Sequence, residues 1–322
     1  MAFRSVGHWM AALFLLVLAL GASTPARAGY TTVYAFGDSL SDNGNVFAAT
    51  GGAVPQAGDY HAGRFSNGRV AVEYLADGLG ASLVNYAHGG AKTGFGNGAL
   101  AGTPLEMTGI WSQVDLFQAT LGGGTADGNA LYFVWGGAND FQYDGYTGAV
   151  AAQAINNLVS SIQVLYGLGA RHFMVPGLAD LGATPAGLAS GASAALTGLS
   201  AFFNTNLLAA LGALEAALPG ADLAFVDVFA AQHELIDHPA DHGLANVTGA
   251  CFSGYVGVAG TQCSTPDEYL YWDRIHPTAV THRHLGEAML LAVPVPEPAT
   301  LSMALLALAA LRVSRRGSGR RS

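Results

Sequence analysis

The sequence predicts an α/β fold in which a mostly parallel sheet lies between two layers of helices. Three observations support this prediction. Short apolar runs rich in β-forming residues alternate with longer helical patterns, five such runs fit within residues 29–296, and no repeat of solenoid length divides the chain. Strands that alternate with helices are typical of βαβ units. Five of them suit a single three-layer domain.

The five predicted strands are short and apolar, and the first reads TTVYAF. They cover residues 31–36, 83–87, 130–135, 172–176 and 223–228. Helical patterns fill the longer segments, at about 70–79, 113–120, 149–167, 196–217 and 278–291. Glycine-rich and polar stretches predict loops at 44–68, 93–110, 122–129 and 232–268. Loops of this length are typical of binding surfaces and lids.

Composition and charge exclude several classes of protein. Apolar residues make up 51% of the 322 residues and charged residues only 11%, which excludes a disordered chain and a coiled coil. The formal net charge is −9, and residues 29–296 alone hold six basic against 21 acidic groups. A chain this acidic lacks the positive surface that binds phosphate backbones, so we expect no nucleic-acid partner.

Residues 1–28 are typical of a secretory signal peptide. Arg4 supplies the basic start, an apolar stretch follows from Met10 to Leu20, and Ala26-Arg27-Ala28 has small residues at the cleavage position. A permanent membrane anchor fits less well, because the apolar run is shorter than the span of about 20 residues that a membrane requires. The interpretation predicts cleavage after Ala28 by signal peptidase.

Residues 293–322 form a distinct tail. A proline-rich break with Pro296-Glu297-Pro298 precedes an apolar segment, Ala299–Leu311, and an arginine cluster follows it. One interpretation is a frayed apolar end. The order of parts, however, resembles the PEP-CTERM sorting signal of Gram-negative bacteria. That resemblance implies transient anchoring in the membrane and processing by a protease of the exosortase type, and it leaves residues 29–292 as the folded domain.

The chain has two cysteines, Cys251 and Cys263, and both lie in the part expected to be exported. A pair of this kind in an oxidising compartment favours a disulfide. Two free thiols or a metal pair are the alternatives, although the spacing of a zinc finger is absent.

Four short strings carry polar residues at the ends of predicted elements, which is where open α/β sheets bind their ligands. Ser39 follows the first strand and can expose its hydroxyl, while Gly90 lets a backbone N–H approach a ligand. Asn139 offers a neutral amide donor, and Asp273 lies where it can fix the tautomer of His276. Taken singly, the same residues are equally well explained by purely structural roles: a capping serine, a tight turn, a turn asparagine and a structural histidine.

Together the strings FGDSLSDNGN, NYAHGGA, GGAND and WDRIHPT resemble the signature blocks of the SGNH hydrolase superfamily, the GDSL esterases and lipases. The resemblance spans about residues 31–291 and is strongest to the branch of thermolabile haemolysins and plant esterases. It implies a three-layer α/β/α sandwich with a five-stranded parallel sheet in the flavodoxin-like order.

The resemblance also implies roles for individual residues. Ser39 would be the nucleophile, His276 the general base and then the general acid, and Asp273 the residue that orients His276. The oxyanion hole would consist of the Ser39 and Gly90 backbone N–H groups and the Asn139 side-chain amide. No metal or organic cofactor is implied.

The sequence therefore predicts an exported serine hydrolase, periplasmic, at the cell surface or extracellular, that cleaves carboxylic esters through an acyl-enzyme. Lipid acyl esters and acylated glycans are the candidate substrates. An acyltransferase with the same triad and a non-catalytic surface or matrix module on the same fold are the alternatives.

A histidine-rich segment fails the zinc spacing, and we expect a solvated loop rather than an ion site at His233, Asp237, His238, Asp241 and His242. His282 and His284 are expected at the surface of the last helix. Four aromatic residues are expected in the core: Trp111, Phe117, Phe202 and Phe203. Five loop tyrosines are candidates to line an acyl cleft: Tyr143, Tyr146, Tyr255, Tyr269 and Tyr271.

Overall fold

The computed structural model describes residues 29–293, so the predictions for the signal peptide and the sorting tail lie outside the described residues. The main sheet has five parallel strands in the order β2-β1-β3-β4-β5, which confirms the predicted flavodoxin-like arrangement. The strands are β1 (Thr32–Gly37), β2 (Ser82–Asn85), β3 (Leu131–Trp135), β4 (His172–Pro176) and β5 (Asp222–Val226).

Nine α-helices lie within residues 29–293. They are α1 (Asn45–Ala49), α2 (Ala71–Leu79), α3 (Ile110–Thr120), α4 (Ala138–Asp144), α5 (Gly148–Leu168), α6 (Pro185–Ala189), α7 (Ser193–Ala217), α8 (Val228–Asp237) and α9 (Ala279–Ala292). The five predicted helices correspond to α2, α3, α5, α7 and α9. The short helices α1, α4 and α6 were not predicted, because one or two turns carry too little apolar periodicity to be detected.

Helices cover both faces of the sheet. Residues of α3, α5 and α7 form one core with the strands, and this core includes Phe117, Ile162 and Phe203. The helices α2 and α9 pack against each other so closely that a Cβ at Gly286 would lie 2.9 Å from the carbonyl oxygen of Ala71. Every residue of the central strand β3 is buried, as expected for a strand covered on both faces.

The segment after β5 differs from the prediction of a long loop. The helix α8 begins at Val228, and the Asp227 side chain accepts a hydrogen bond from the Ala230 N–H at 2.9 Å as its N-cap. Two further strands, β6 (Asn246–Ala250) and β7 (Tyr269–Tyr271), then pair in parallel as a small second sheet. The predicted fifth strand was too long because the apolar run continues into the helix.

The helix α7 is long and apolar enough to cross a membrane, by length and composition only. In the fold, one side of it belongs to the core beneath the sheet, through Phe203, Leu207 and Leu211. The loop after β4 is tied to this helix, because Asn204 accepts from the Leu178 N–H at 2.7 Å and donates to the Leu178 carbonyl at 2.8 Å. The helix is therefore fixed against the end of the sheet where β4 terminates.

Cys251 and Cys263 are joined by a disulfide. Cys251 belongs to a small core cluster with Tyr60, Phe252 and Trp272, and Cys263 packs against its edge. The disulfide therefore secures the segment that lies over the Tyr60 loop and the start of the WDRIHPT string.

Candidate active site

Ser39 lies in a tight turn directly after β1. The Asp38 carbonyl oxygen accepts from the N–H groups of Ser41 and Asp42 at 3.0 and 2.9 Å, which closes the turn. The preceding Gly37 is held by the Gln113 side chain, which both accepts from its N–H and donates to its carbonyl at 2.8 Å. The Ser39 hydroxyl oxygen is thereby presented 3.0 Å from Nε2 of His276.

The Asp273–His276 pair forms a compact buried turn. Nδ1 of His276 lies 2.8 Å from Oδ2 of Asp273, and Oδ1 accepts from the backbone N–H groups of Ile275 and His276 at 2.9 and 2.8 Å. The Asp273 side chain is almost fully buried. Burial alone would raise the pKa of Asp273, but the charge and hydrogen bond of His276, the Tyr60 hydroxyl and the Ile275 N–H together hold this pKa below its usual range. Such an ionised carboxylate can orient an imidazole and stabilise its protonated form.

Gly90 lies in the turn after β2, with a φ of +82°, a conformation that favours glycine. A Cβ at this position would collide with Ala99 and would lie 2.5 Å from Oδ1 of Asn97. The turn is joined to the serine turn, because Asp42 accepts from the Gly89 N–H at 2.9 Å. Within residues 29–293 the N–H groups of Ser39 and Gly90 donate no hydrogen bond, so both are available to a ligand.

Asn139 occupies the first turn of α4, directly after the glycine pair that follows β3. Its Nδ2 donates to the Ala91 carbonyl at 3.0 Å and lies 3.3 Å from Oδ2 of Asp38. The neighbouring Asp140 is buried and accepts from the Thr93 hydroxyl at 2.6 Å. These bonds join the asparagine string to the glycine string and fix the direction of the Asn139 amide.

Two buried carboxyl groups support this site and were not singled out from the sequence. Burial raises the pKa of Asp38, which precedes the serine, to about 6, against the lowering effects of the Leu40 N–H and of His276. Burial also raises the pKa of Asp42, whose carboxylate accepts from four backbone N–H groups. Both residues lie within the FGDSLSDNGN string, and their proximity to Ser39 was the available signal.

A cavity of about 710 Å³ opens beside Ser39. Ser39, Asn139 and His276 lie on its wall, and most of its other lining residues are apolar, among them Tyr146, Leu199 and Phe202. The prediction that Phe202 belongs to the core is wrong, because its side chain is half exposed and borders the cavity. Among the candidate tyrosines, Tyr146 and Tyr271 line the cavity, whereas Tyr143, Tyr255 and Tyr269 are absent from its described lining.

His282 and His233 do not belong to the hydrogen-bonded series of Ser39, His276 and Asp273. The prediction of a surface position is wrong for His282, which is fully buried, with its Nδ1 accepting from the Ala71 N–H at 3.2 Å. Its pKa is lowered to about 3, chiefly by burial and also by the charge of His276. His233 lies on α8, not in a solvated loop, with Nε2 3.0 Å from Oδ2 of Asp180. Within residues 29–293 no group of three or more metal-binding side chains is arranged around a common point.

A parallel α/β/α sandwich that presents a serine, an imidazole and a carboxylate in one hydrogen-bonded series has the arrangement used for nucleophilic hydrolysis. A family model for the GDSL-like lipases and acylhydrolases matches residues 33–289. The chain therefore belongs to this family and is a carboxylic ester hydrolase.

Three curated relatives illustrate the similarity. The chain is 29% identical to the thermolabile hemolysin of Vibrio parahaemolyticus over 80% of its own length, and it spans 62% of that protein. It is 27% identical to a GDSL esterase/lipase of Arabidopsis thaliana, covering 86% of this chain and 92% of the relative. It is 26% identical to the phosphatidylcholine-sterol acyltransferase of Aeromonas hydrophila, covering 87% of this chain and 95% of the relative.

Proposed function

We propose that the protein cleaves carboxylic esters through an acyl-enzyme on Ser39. Nε2 of His276 takes the hydroxyl proton as Oγ attacks the ester carbonyl carbon, and it then returns that proton to the departing alcohol. A water molecule, deprotonated by the same nitrogen, attacks the acyl-enzyme and releases the acid together with a restored serine. The observation that carries this proposal is the series of contacts of 3.0 Å and 2.8 Å from Ser39 through His276 to Asp273.

The tetrahedral oxyanion would bind at the Ser39 and Gly90 N–H groups and the Asn139 amide. Because both amide hydrogens of Asn139 are already donated, its Nδ2 would exchange the longer contact, 3.3 Å to Oδ2 of Asp38, for the oxyanion. Support comes from the two unpaired N–H groups and from the glycine-only geometry of the turn at Gly90. Preorganised donors of this kind stabilise negative charge that develops in the transition state. The chemistry of these side chains and N–H groups needs no metal or organic cofactor.

The size and apolarity of the cavity favour an acyl chain longer than acetyl. A volume of about 710 Å³ lies within the range typical of sites that enclose a small organic ligand. An apolar chain in this cavity would be removed from water next to the serine, which is favourable in proportion to the area buried. Among the candidate substrates, we therefore infer a lipid acyl ester in preference to an acetylated glycan.

We also propose that the domain works outside the cytoplasm. The disulfide between Cys251 and Cys263 is consistent with folding in an oxidising compartment. The signal peptide and the sorting tail inferred from the sequence would deliver residues 29–292 to the periplasm or the cell surface, with signal peptidase and an exosortase-type protease as processing partners.

Acyl transfer to an alcohol acceptor is the second candidate function. The name of the Aeromonas hydrophila relative records such an activity for that protein. The same acyl-enzyme serves both reactions, and only the identity of the acceptor differs. Incubation with a lipid ester and a sterol, followed by analysis of products, separates them. Free fatty acid alone supports hydrolysis, whereas a sterol ester supports transfer.

The principal test compares the wild-type chain with Ser39→Ala on p-nitrophenyl acetate, butyrate, octanoate and palmitate. Removal of a triad serine is expected to lower turnover on the order of 10⁴-fold or more for every ester. The wild-type protein is expected to prefer a chain longer than acetyl. Equal rates from the two proteins would contradict the role of Ser39, and a preference for acetate would contradict the proposed acyl chain.

A further inference from the structure

Tyr60 makes a contact with the proposed triad that no sequence string indicates. This tyrosine lies in the loop between α1 and α2 and is buried. Its hydroxyl donates to Oδ2 of Asp273 at 2.6 Å. The same oxygen lies 2.8 Å from Nδ1 of His276. The phenol and the imidazole therefore share one carboxylate oxygen.

The ring of Tyr60 is held on several sides. It meets Phe252 edge to face at a centroid distance of 5.7 Å, and Trp272 and Phe65 at 6.5 Å each. Phe65 in turn lies 5.5 Å from the ring of His276. Because edge-to-face aromatic contacts favour particular orientations, the Tyr60 hydroxyl has a defined direction toward Asp273.

The electrostatics keep Tyr60 a donor. Burial, the charge of Asp273 and the hydrogen bond to Asp273 all raise the pKa of the Tyr60 phenol above its usual value, and Asp59 adds to this effect. The proton therefore stays on the phenol. A hydrogen bond from a neutral donor to a carboxylate disperses negative charge, and less charge remains to stabilise a protonated imidazole on the same oxygen.

From this geometry we propose that Tyr60 is a positioning residue that fixes the Asp273 carboxylate and limits the basicity of His276. The inference rests on the proposed roles of Asp273 and His276 in ester cleavage. Without the Tyr60 hydroxyl, Oδ2 would interact more strongly with the imidazole and would stabilise its protonated form further. A protonated imidazole cannot accept the serine proton.

The test is Tyr60→Phe, which keeps the ring and removes only the hydroxyl. We expect kcat to fall about tenfold, the scale of one lost hydrogen bond to a charged group, with KM little changed. We also expect the acid limb of the kcat–pH profile to move to higher pH. The matched control is Tyr166→Phe on α5, away from the site. This replacement removes a hydroxyl that donates to the Pro219 carbonyl at 2.9 Å.

The neighbouring titratable groups remain in place in Tyr60→Phe. Besides Asp273, the groups that act electrostatically on His276 include Asp38 at the end of β1 and His282 on α9. Asp59 acts on Tyr60 from the same loop. A second replacement, fluorotyrosine at position 60, keeps the packing and strengthens the donor. It is expected to move the acid limb in the opposite direction, to lower pH.

A double-mutant cycle with Asp273→Asn completes the experiment. If Tyr60 acts through Asp273, Tyr60→Phe is expected to have little further effect in the Asp273→Asn background. An unchanged kcat and acid limb in Tyr60→Phe would overturn the inference. The inference would also be overturned if the loss of kcat in Tyr60→Phe added fully to the loss in Asp273→Asn and neither replacement at position 60 shifted the acid limb of the pH profile. An active Ser39→Ala protein would instead refute the proposed function itself.

Discussion

The two halves of the candidate site differ in the chemistry of the side chains that form them. The half that contains Ser39, Asp273 and His276 is held by short hydrogen bonds, most of them to buried carboxylates. The half that forms the cavity is lined mainly by apolar side chains from the α4–α5 region, from α7 and from the loops after β4. Under the proposed function, the polar half would set the reaction, while the apolar half would set which acyl chain reaches it.

The difference has a physical origin. A reacting group requires a defined direction, and hydrogen bonds supply one because they weaken steeply away from their preferred geometry. An acyl chain requires only apolar volume, because the hydrophobic effect has no direction. Changes in the polar half are therefore expected to reduce the rate for all esters together. Changes in the apolar half should alter the ratio between esters.

Among the tests of this comparison, Asn139→Ala is expected to have the largest effect on kcat. Loss of one oxyanion donor is expected to lower kcat by about 10²–10³-fold. Because the donor acts on the carbonyl oxygen common to all esters, the loss should be the same for acetate, octanoate and palmitate. Steady-state kinetics on the ester series measures it. A loss confined to one chain length would show that Asn139 acts by shaping the cavity.

Asp38→Asn tests the energetic cost of the polar half. The folded-state pKa of Asp38 is about 6, above the usual value of 3.8. Between pH 3.8 and pH 6 the folded protein therefore keeps a proton on Asp38 that the unfolded chain has released. The associated stability is fully present below pH 3.8 and is lost as the pH rises through 6. At 1.36 kcal/mol per pKa unit, its full size is about 3 kcal/mol.

Urea denaturation of the wild type and of Asp38→Asn from pH 4 to pH 7 measures this pH-dependent contribution to the free energy of unfolding. The asparagine variant should gain stability relative to the wild type as the pH rises, by up to about 3 kcal/mol. Asp115→Asn, which alters an exposed carboxylate on α3, is the control. Parallel stability curves for wild type and Asp38→Asn would show that burial of Asp38 carries no such cost.

The polar half was more accessible to sequence analysis than the apolar half. Ser39, Gly90, Asn139, Asp273 and His276 lie in short strings after strands or before a helix. The order of the main sheet brings the three strings after β1, β2 and β3 to one edge, and the fourth string follows β7 of the small sheet. The periodicity of the chain was sufficient to place all five strands of the main sheet. Each string alone was ambiguous, and the combined resemblance of the four strings to a known family implied the roles, which requires no knowledge of the packing.

Other features could not be predicted because they depend on contacts between distant segments. Tyr60 meets Asp273 across 213 positions of sequence, and nothing in its own loop marks it. The burial of His282 depends on the close packing of α9 on α2, which the helical pattern alone did not reveal. The cavity is built partly from glycine and alanine, whose small side chains provide space but no recognisable pattern.

Gly198→Leu is expected to have the smallest effect on the rates and to discriminate most strongly between long and short esters. Gly198 lies on α7 at the cavity wall, and a Cβ there would meet no atom within 4 Å. A leucine side chain is therefore expected to occupy space that a long acyl chain needs. We expect kcat/KM for palmitate to fall about tenfold or more, the scale of one methylene group in an apolar pocket, while kcat/KM for acetate stays the same.

Gly212→Leu is the matched control, because Gly212 is on the same helix, also has open space around its Cβ and is not part of the cavity lining. Both replacements remove a glycine from a helix interior and should stabilise α7 by a similar amount, about 1 kcal/mol. A difference in chain-length preference between them is then due to the cavity rather than to helix stability. If Gly198→Leu lowered the rates for acetate and palmitate equally, this wall would contribute to the reaction, and the division between the two halves of the site would not hold.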